Sequence, residues 1–181
     1  PQHPAPVAAR GLAGFRICHT IFGAMAQAMP GKVPAAWGGG EIGVSWGGYH
    51  PNRKAWVYLE FANDGPRGGG PNLDGADGLA APILNMANTP IESIESEQPL
   101  LVERYGFVPD TGGAGKSRGG LGIEREFRLL AEEATFQLRS DRSDFTPWGV
   151  MGGKPGTPTE NYLNPGTDRE EKLPGKTGTC I

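Results

Sequence analysis

The string Asp110-Thr111-Gly112-Gly113-Ala114-Gly115-Lys116-Ser117 comes close to a phosphate-binding loop. Such a loop needs G-x-x-x-x-G-K-[ST], so that backbone N–H groups and the dipole of a following helix hold the phosphates. Gly115, Lys116 and Ser117 fit, but Asp110 stands where the first glycine belongs and would repel phosphate. The Arg118-Gly119-Gly120-Leu121-Gly122 that follows is a poor helix start. The string therefore reads as a glycine loop between strands. No G-x-G-x-x-G fingerprint occurs in register, which removes the argument for a dinucleotide fold.

Asp64, Asp74 and Asp77 crowd a second glycine loop together with Asn72. Short carboxylates on such a loop suit a hard cation, but Ala76 displaces Asp77 from the D-x-[DN]-x-[DN]-G spacing, and Asp-Gly pairs are ordinary turn formers. His3, His19 and His50 are far apart and none has a metal partner at i+2 to i+4, so no metal ligands are assigned. His19 reads as a helix-surface or packing residue, whereas His50 sits beside Tyr49 in a hairpin loop where loops carry function. Arg139-Ser140-Asp141-Arg142 offers two guanidiniums around a carboxylate: a structural ion-pair node, or a clamp for a carboxylate or phosphate. Ser140 has no base in local sequence, and nothing cationic adjoins Cys18 to make it reactive. His50, Asp77, Arg139 and Arg142 are the substrate-binding candidates; no catalytic or cofactor-binding residue is assigned.

Composition bounds what these residues can serve. The chain has 181 residues with 30 glycines and 17 prolines. Together these make about a quarter of the chain, near the disordered range. The 37% apolar content and the spread of four Trp, four Tyr and seven Phe argue for a packed core instead. A net charge of −3 and an acidic pI speak against nucleic acid as a partner. No apolar run reaches the ~18–20 residues of a membrane span. Two distant cysteines, Cys18 and Cys180, form no disulfide framework, and a reducing cytoplasm is the simpler location. The opening PQHPAPVAAR is neither a signal nor a transit peptide, and the chain reads as a piece of a longer polypeptide.

The elements that must position these residues read as α+β, mainly antiparallel β with glycine-rich loops, after one long apolar helix near the N-terminus. Residues 7–29 form that helix, with Leu12, Phe15, Cys18, Phe22, Met25 and Met29 on one face and Ile17 and Ile21 widening the stripe. Ile42, Val44 and Trp46 alternate as a strand, GGYHPNRK is a hairpin loop, and Trp56 to Phe61 returns. Thr89 would cap a short helix with Pro90 at its first position. Residues 100–108 read as a strand. Residues 123–129 and 134–138 alternate so cleanly that they predict a hairpin turning at Ala131-Glu132-Glu133. Trp148-Gly149 and Gly152–Gly156 read as a tight, packed corner, and beyond Gly156 the chain reads as polar and irregular to its end.

Together, NTPIESIESEQPLLVERYGFVPDTGGAGKSRGGLGIEREFRLL and FQLRSDRSDFTPWGVMGGKPG strongly resemble the hydantoinase B family. GGGPNLDGADG resembles that family's glycine-aspartate loop, and VAARGLAGFRICHTIFGAMAQAMP its preceding helix. The family includes the B component of N-methylhydantoinase, the C-terminal half of 5-oxoprolinase and the large subunit of acetone and acetophenone carboxylases. The resemblance implies a single domain over residues 1–181, a C-terminal fragment of a longer subunit. It implies a hetero-oligomer in which a hydantoinase A-type partner binds ATP with Mg and phosphorylates a substrate oxygen. The activated cyclic amide then opens with water; in the carboxylase alternative an activated ketone captures carbon dioxide. A divalent metal would belong to the family's upstream His- and Asp-rich segment, and the resemblance also leaves open a non-catalytic assembly role.

Overall fold

The computed structural model describes residues 11–38, 42–60, 65–79, 83 and 87–181. Asp64, His3 and the start of the expected helix lie outside the described residues. In chain order the elements are α1 (Gly11–Ala28), β1 (Gly43–Tyr49), β2 (Ala55–Glu60), α2 (Ile91–Glu97), β3 (Leu100–Val108), β4 (Gly122–Leu129), β5 (Thr135–Arg139), β6 (Tyr162–Leu163), β7 (Glu171–Lys172) and β8 (Lys176–Cys180). Every strand pairing among the described residues is antiparallel. The α+β reading holds.

A four-stranded sheet runs β2-β1-β5-β8. Alternation decides its faces: Trp56, Tyr58 and Glu60 turn inward on β2, while Ala55, Val57 and Leu59 face out. Register places Tyr58, Trp46 and Phe136 in one row across three strands, with the Trp46 and Phe136 rings 4.6 Å apart. Aromatic cross-strand pairs of this kind are the unit of sheet stabilisation. The β3–β4 hairpin and α2 cover that row. Phe127 lies 6.1 Å from Trp46 and 6.3 Å from Tyr58, and Ile94 and Leu100 are fully enclosed. Enclosing each of those two is worth about 1.5–3 kcal/mol.

Three expectations are corrected here. First, β4 and β5 do not pair with each other. β4 pairs with β3, and β5 lies between β1 and β8. The chain crosses between layers at residues 130–134, and the backbone donors on either side are already taken. Leu130 N–H donates to Pro99 O at 2.9 Å, and Ala134 N–H to Ile181 O at 2.8 Å. Second, the C-terminal segment is not irregular, since Lys176–Cys180 closes the sheet as an edge strand. Third, Thr89 does not cap α2. Pro90 occupies the cap position and no side chain caps the helix.

α1 turns Phe15 and His19 inward, not the full apolar stripe. Phe22 stacks on Trp37 with centroids 5.6 Å apart. Ile17 and Ile21 are 61% and 51% exposed, because two residues along a helix is about 200° round it and carries them away from the Phe15–His19 face.

Candidate functional site

Two glycine loops, 65–78 and 110–121, dock against each other and against the segments 33–38 and 146–157. Backbone hydrogen bonds knit them: Ala35 N–H to Gly69 O, Gly38 N–H to Pro66 O, Ala36 N–H to Trp148 O, Gly75 N–H to Arg118 O, and Lys154 N–H to Ala114 O. Main chains approach this closely only where side chains are missing. A Cβ on Gly75 would land on the Arg67 carbonyl oxygen, and one on Gly120 on the Ala76 carbonyl oxygen.

The aspartates are the pins of this assembly. Asp74 Oδ1 accepts from Arg118 N–H at 2.9 Å. Asp77 Oδ1 accepts from Leu121 N–H at 2.7 Å and from the Arg118 guanidinium at 2.9 Å, while Oδ2 takes its second prong at 3.3 Å. The Arg118 guanidinium first, and then the Leu121 N–H, hold the Asp77 carboxyl below its ordinary value.

The stretch behind the phosphate-loop string is tied into the chain itself. The four successive donors Arg118, Gly119, Gly120 and Leu121 are spent on Asp74, Gly113 O, Arg67 O and Asp77. Lys116 Nζ reaches Asn72 Oδ1 at 3.2 Å, and no helix follows. With Asp110 in place of the first glycine and no helix behind Ser117, the string lacks the two features that hold a nucleotide phosphate. Among the described residues no three His, Cys, Asp or Glu side chains gather as a metal would need.

A groove of about 1640 Å³ runs between these loops and the β3–β4 hairpin, lined among others by Asn72, Arg104, Lys116 and Lys154. It exceeds the ~300–1,000 Å³ of a typical small-molecule pocket, so alone it would leave a small substrate unenclosed.

A smaller pocket of about 400 Å³ lies against α1, lined by Arg16, His19, Thr20, Gly23, Ala24, Gln27, Arg142 and Trp148. Arg142 adopts a left-handed φ of 69°, rare for a long side chain. Its guanidinium donates to four carbonyl oxygens, of Trp37 and Gly38 at 3.3 Å and of Phe145 and Thr146 at 3.4 Å. Burial, and then the nearby Arg16, lower its pKa to about 10. Asp141 pairs with neither neighbouring arginine. Its partners are Arg16 at 3.4 Å and Lys176 at 3.8 Å, so the local Arg–Asp fork resolves into long-range pairs. His19 is 4% exposed, and burial first, then Arg16 and Arg142, lower its pKa to about 4, with the Phe15 carbonyl one turn earlier opposing them in part.

Arg139 closes β5 and donates to Gln137 Oε1 at 2.6 Å. His50 follows β1 and is half-buried; its backbone N–H donates to Lys54 O at 2.9 Å. Gly43 pairs with Arg139 at one end of β1 and Tyr49 precedes His50 at the other. At ~3.3 Å per residue, the two candidates stand about 20 Å apart along the sheet.

A buried charge node is absent from the sequence-based candidates. Glu60 and Arg125 have side chains only 1% and 2% exposed, with Nη1 to Oε2 at 2.5 Å. Tyr58 donates its hydroxyl to the same Oε2, and Thr89 N–H donates to Oε1 at 3.0 Å. Arg125 also donates to Thr89 O at 3.3 Å and lies 4.3 Å from the Tyr105 ring centre. Burial, with Glu60 beside it, pushes the Tyr58 phenol upward, so it stays a donor. The only available signal was period-two placement of Glu60 on the inward face of β2.

The chain matches the hydantoinase B/oxoprolinase family along residues 1–180 and belongs to that family. It is 34% identical to the putative D-/L-hydantoinase B component of Pseudomonas sp. (strain NS671), over 97% of this chain and 30% of that protein. It is 34% identical to the beta chain of the caprolactamase of Pseudomonas jessenii, over 72% of this chain and 23% of that one. Against the 5-oxoprolinase PfmaA of Pestalotiopsis fici it is 30% identical, over 89% and 13%. The chain thus spans less than a third of these relatives. In fold it is similar to a nucleotide-free acetone carboxylase structure, with TM-score 0.51 and 21% identity over 70% of this chain and 17% of that one.

Proposed function

We propose that this chain is a segment of a longer subunit that, with an ATP-binding partner of hydantoinase A type, opens a cyclic amide of the hydantoin or 5-oxoproline class. The observation that supports this reading is the family match along residues 1–180, joined by relatives named for hydantoins, 5-oxoproline and caprolactam. All three name ring amides. Phosphorylation of the amide oxygen by the partner turns a resonance-stabilised carbonyl into a good electrophile; water adds at that carbon, the C–N bond breaks with the nitrogen leaving protonated, and a second water releases the phosphate to give the acid. Asp110 in place of the first loop glycine, and the missing helix behind Ser117, are in keeping with ATP chemistry on another subunit.

Within that reading, Asp77 and Arg142 act by positioning loops, since their polar atoms are engaged with the chain itself. His50 and Arg139, some 20 Å apart by strand rise, would not touch one small substrate together. A divalent metal, where the reaction uses one, belongs to the part of the enzyme outside this chain. The carboxylase alternative has the fold likeness to acetone carboxylase behind it and no ring-amide name.

The test is product analysis on the full-length protein with its copurifying partner. ATP-dependent conversion of hydantoin or 5-oxoproline to the ring-opened acid without bicarbonate is the expected result. Substrate loss that requires bicarbonate would sink the hydrolase reading in favour of the carboxylase. Unchanged turnover in His50→Ala, Asp77→Ala and Arg142→Ala with intact assembly would assign this segment a purely architectural role.

A further inference from the structure

We propose that the pocket formed by Arg16, His19, Gln27, Arg142 and Trp148 binds a small oxyanion, a carboxylate or a phosphate, and that His19 takes up a proton as the anion enters. The proposal does not depend on the ring-opening reading.

The geometry carries it. His19 is 4% exposed, yet beyond a weak approach to the Phe15 carbonyl one turn earlier its ring nitrogens have no hydrogen-bond partner among the described residues, and its ring lies 6.0 Å from that of Trp37. A buried polar group left without a partner costs about 1–3 kcal/mol, so sites of this kind are rare unless something fills them. His19 lines a pocket of about 400 Å³, the volume of a small ligand rather than of a packing defect.

The charges facing that pocket favour an anion. Arg16 lines it from α1, and Arg142 lines it from the loop after β5, adding positive charge while its guanidinium donates to four carbonyl oxygens. Lys176 stands behind Asp141, and Arg67 stacks over the Trp37 ring at 5.5 Å. Asp141 is the carboxylate in the neighbourhood, held by Arg16 at 3.4 Å and Lys176 at 3.8 Å. Among the described residues, cations therefore outnumber carboxylates around His19. Burial first, and then Arg16 and Arg142, keep the imidazole neutral. An entering oxyanion cancels their repulsion and offers an acceptor to an imidazolium N–H, so proton and anion bind together. Gly23 shapes the wall: a Cβ there would press on the Trp148 ring at 3.4 Å.

The test is calorimetric titration of the full-length protein with sulfate, a phosphate mimic that does not titrate, and separately with acetate. Each is run at pH 6 in buffers of different ionisation enthalpy, so that proton uptake is read directly. The expected result is saturable binding with uptake of close to one proton and affinity falling about tenfold per pH unit above pH 6. Arg16→Gln should weaken binding at least tenfold, and His19→Gln should abolish the proton uptake, with circular dichroism unchanged in both. Preference for sulfate identifies a phosphate site, and preference for acetate a carboxylate site. No heat from either ion at millimolar concentrations, or binding without proton uptake in the wild-type chain, overturns the proposal. Should either variant fail to fold, the wild-type proton uptake alone decides.

Discussion

Asp77 and Arg118 face each other across two glycine loops that are far apart in sequence, joined by two parallel bonds of 2.9 and 3.3 Å. Two-pronged pairs of this form fix orientation as well as distance. The same carboxylate holds the Leu121 N–H, so one side chain sets both the register and the tilt of 118–121. Asp77→Asn keeps the size and loses the charge. Its expected effect is faster amide hydrogen exchange at residues 118–121 with the β-sheet amides unchanged. Because the folded carboxyl lies below its ordinary value, its contribution is complete above the unfolded pKa of about 3.9 and is lost as pH falls below it. Loop protection in the wild type should therefore fade only in acid, while in the variant it is low at every pH.

Gly75 and Gly106 separate close backbone approach from mere flexibility. A Cβ at Gly75 would strike the Arg67 carbonyl and the Gly120 nitrogen, whereas one at Gly106 meets nothing within 4 Å. Gly75→Ala should destabilise by about 1–3 kcal/mol through overpacking. Gly106→Ala, on β3, should be neutral or stabilising by about 0.5–1 kcal/mol. Urea denaturation of the two variants checks this, and equal effects would mean that the loops yield.

Alternation and punctuation encode part of this fold locally. Trp46 opposite Tyr58, the 100–108 strand and the two glycine loops were legible because period two and clustered glycine are local signals. The partner of β4 was not, since alternation along 123–129 tells which face is buried and says nothing of which strand supplies the hydrogen bonds. Lys176–Cys180 gave no signal, because an edge strand with alternately exposed residues is held by its backbone. In the sequence His19 reads as either a helix-surface or a packing residue, and only its place against Trp37 decides for the second. Asp141 sits between two arginines yet pairs with Arg16 and Lys176, a choice made by tertiary distance.

Glu60 and Arg125 form an ion pair that excludes water, and such pairs behave asymmetrically under mutation. Removing one partner leaves a charge in an apolar layer beside Phe127 and costs about 3–5 kcal/mol, whereas replacing both by apolar groups can be near neutral. Arg125→Met should therefore destabilise more than the double variant Glu60→Leu/Arg125→Met. The comparison is a double-mutant cycle by denaturant unfolding. A double variant as unstable as the sum of its singles would show that Tyr58 and Thr89, rather than the pair, carry the node.

His19 should make stability depend on pH in the direction opposite to a salt-bridged histidine. Its folded pKa is about 4, against 6.5 in the unfolded chain, because burial and the two arginines disfavour the imidazolium. Between those values the unfolded chain binds a proton that the folded chain does not, so folding weakens as pH falls. Stability is complete above about pH 6.5, declines from there to about pH 4 and is level below that as far as this group is concerned. The loss is on the order of 3–3.5 kcal/mol, from about 1.4 kcal/mol per unit of displacement. Unfolding measured in chloride from pH 7.5 to 4 should show this slope in the wild type and a shallower one in His19→Leu, which removes the titration while keeping an apolar side chain against Trp37. Parallel slopes in the two proteins would mean that His19 stays accessible to protons in the folded state. Sulfate or acetate in the wild-type experiment should flatten or reverse the slope, because a bound oxyanion raises the folded pKa to the unfolded value or above it.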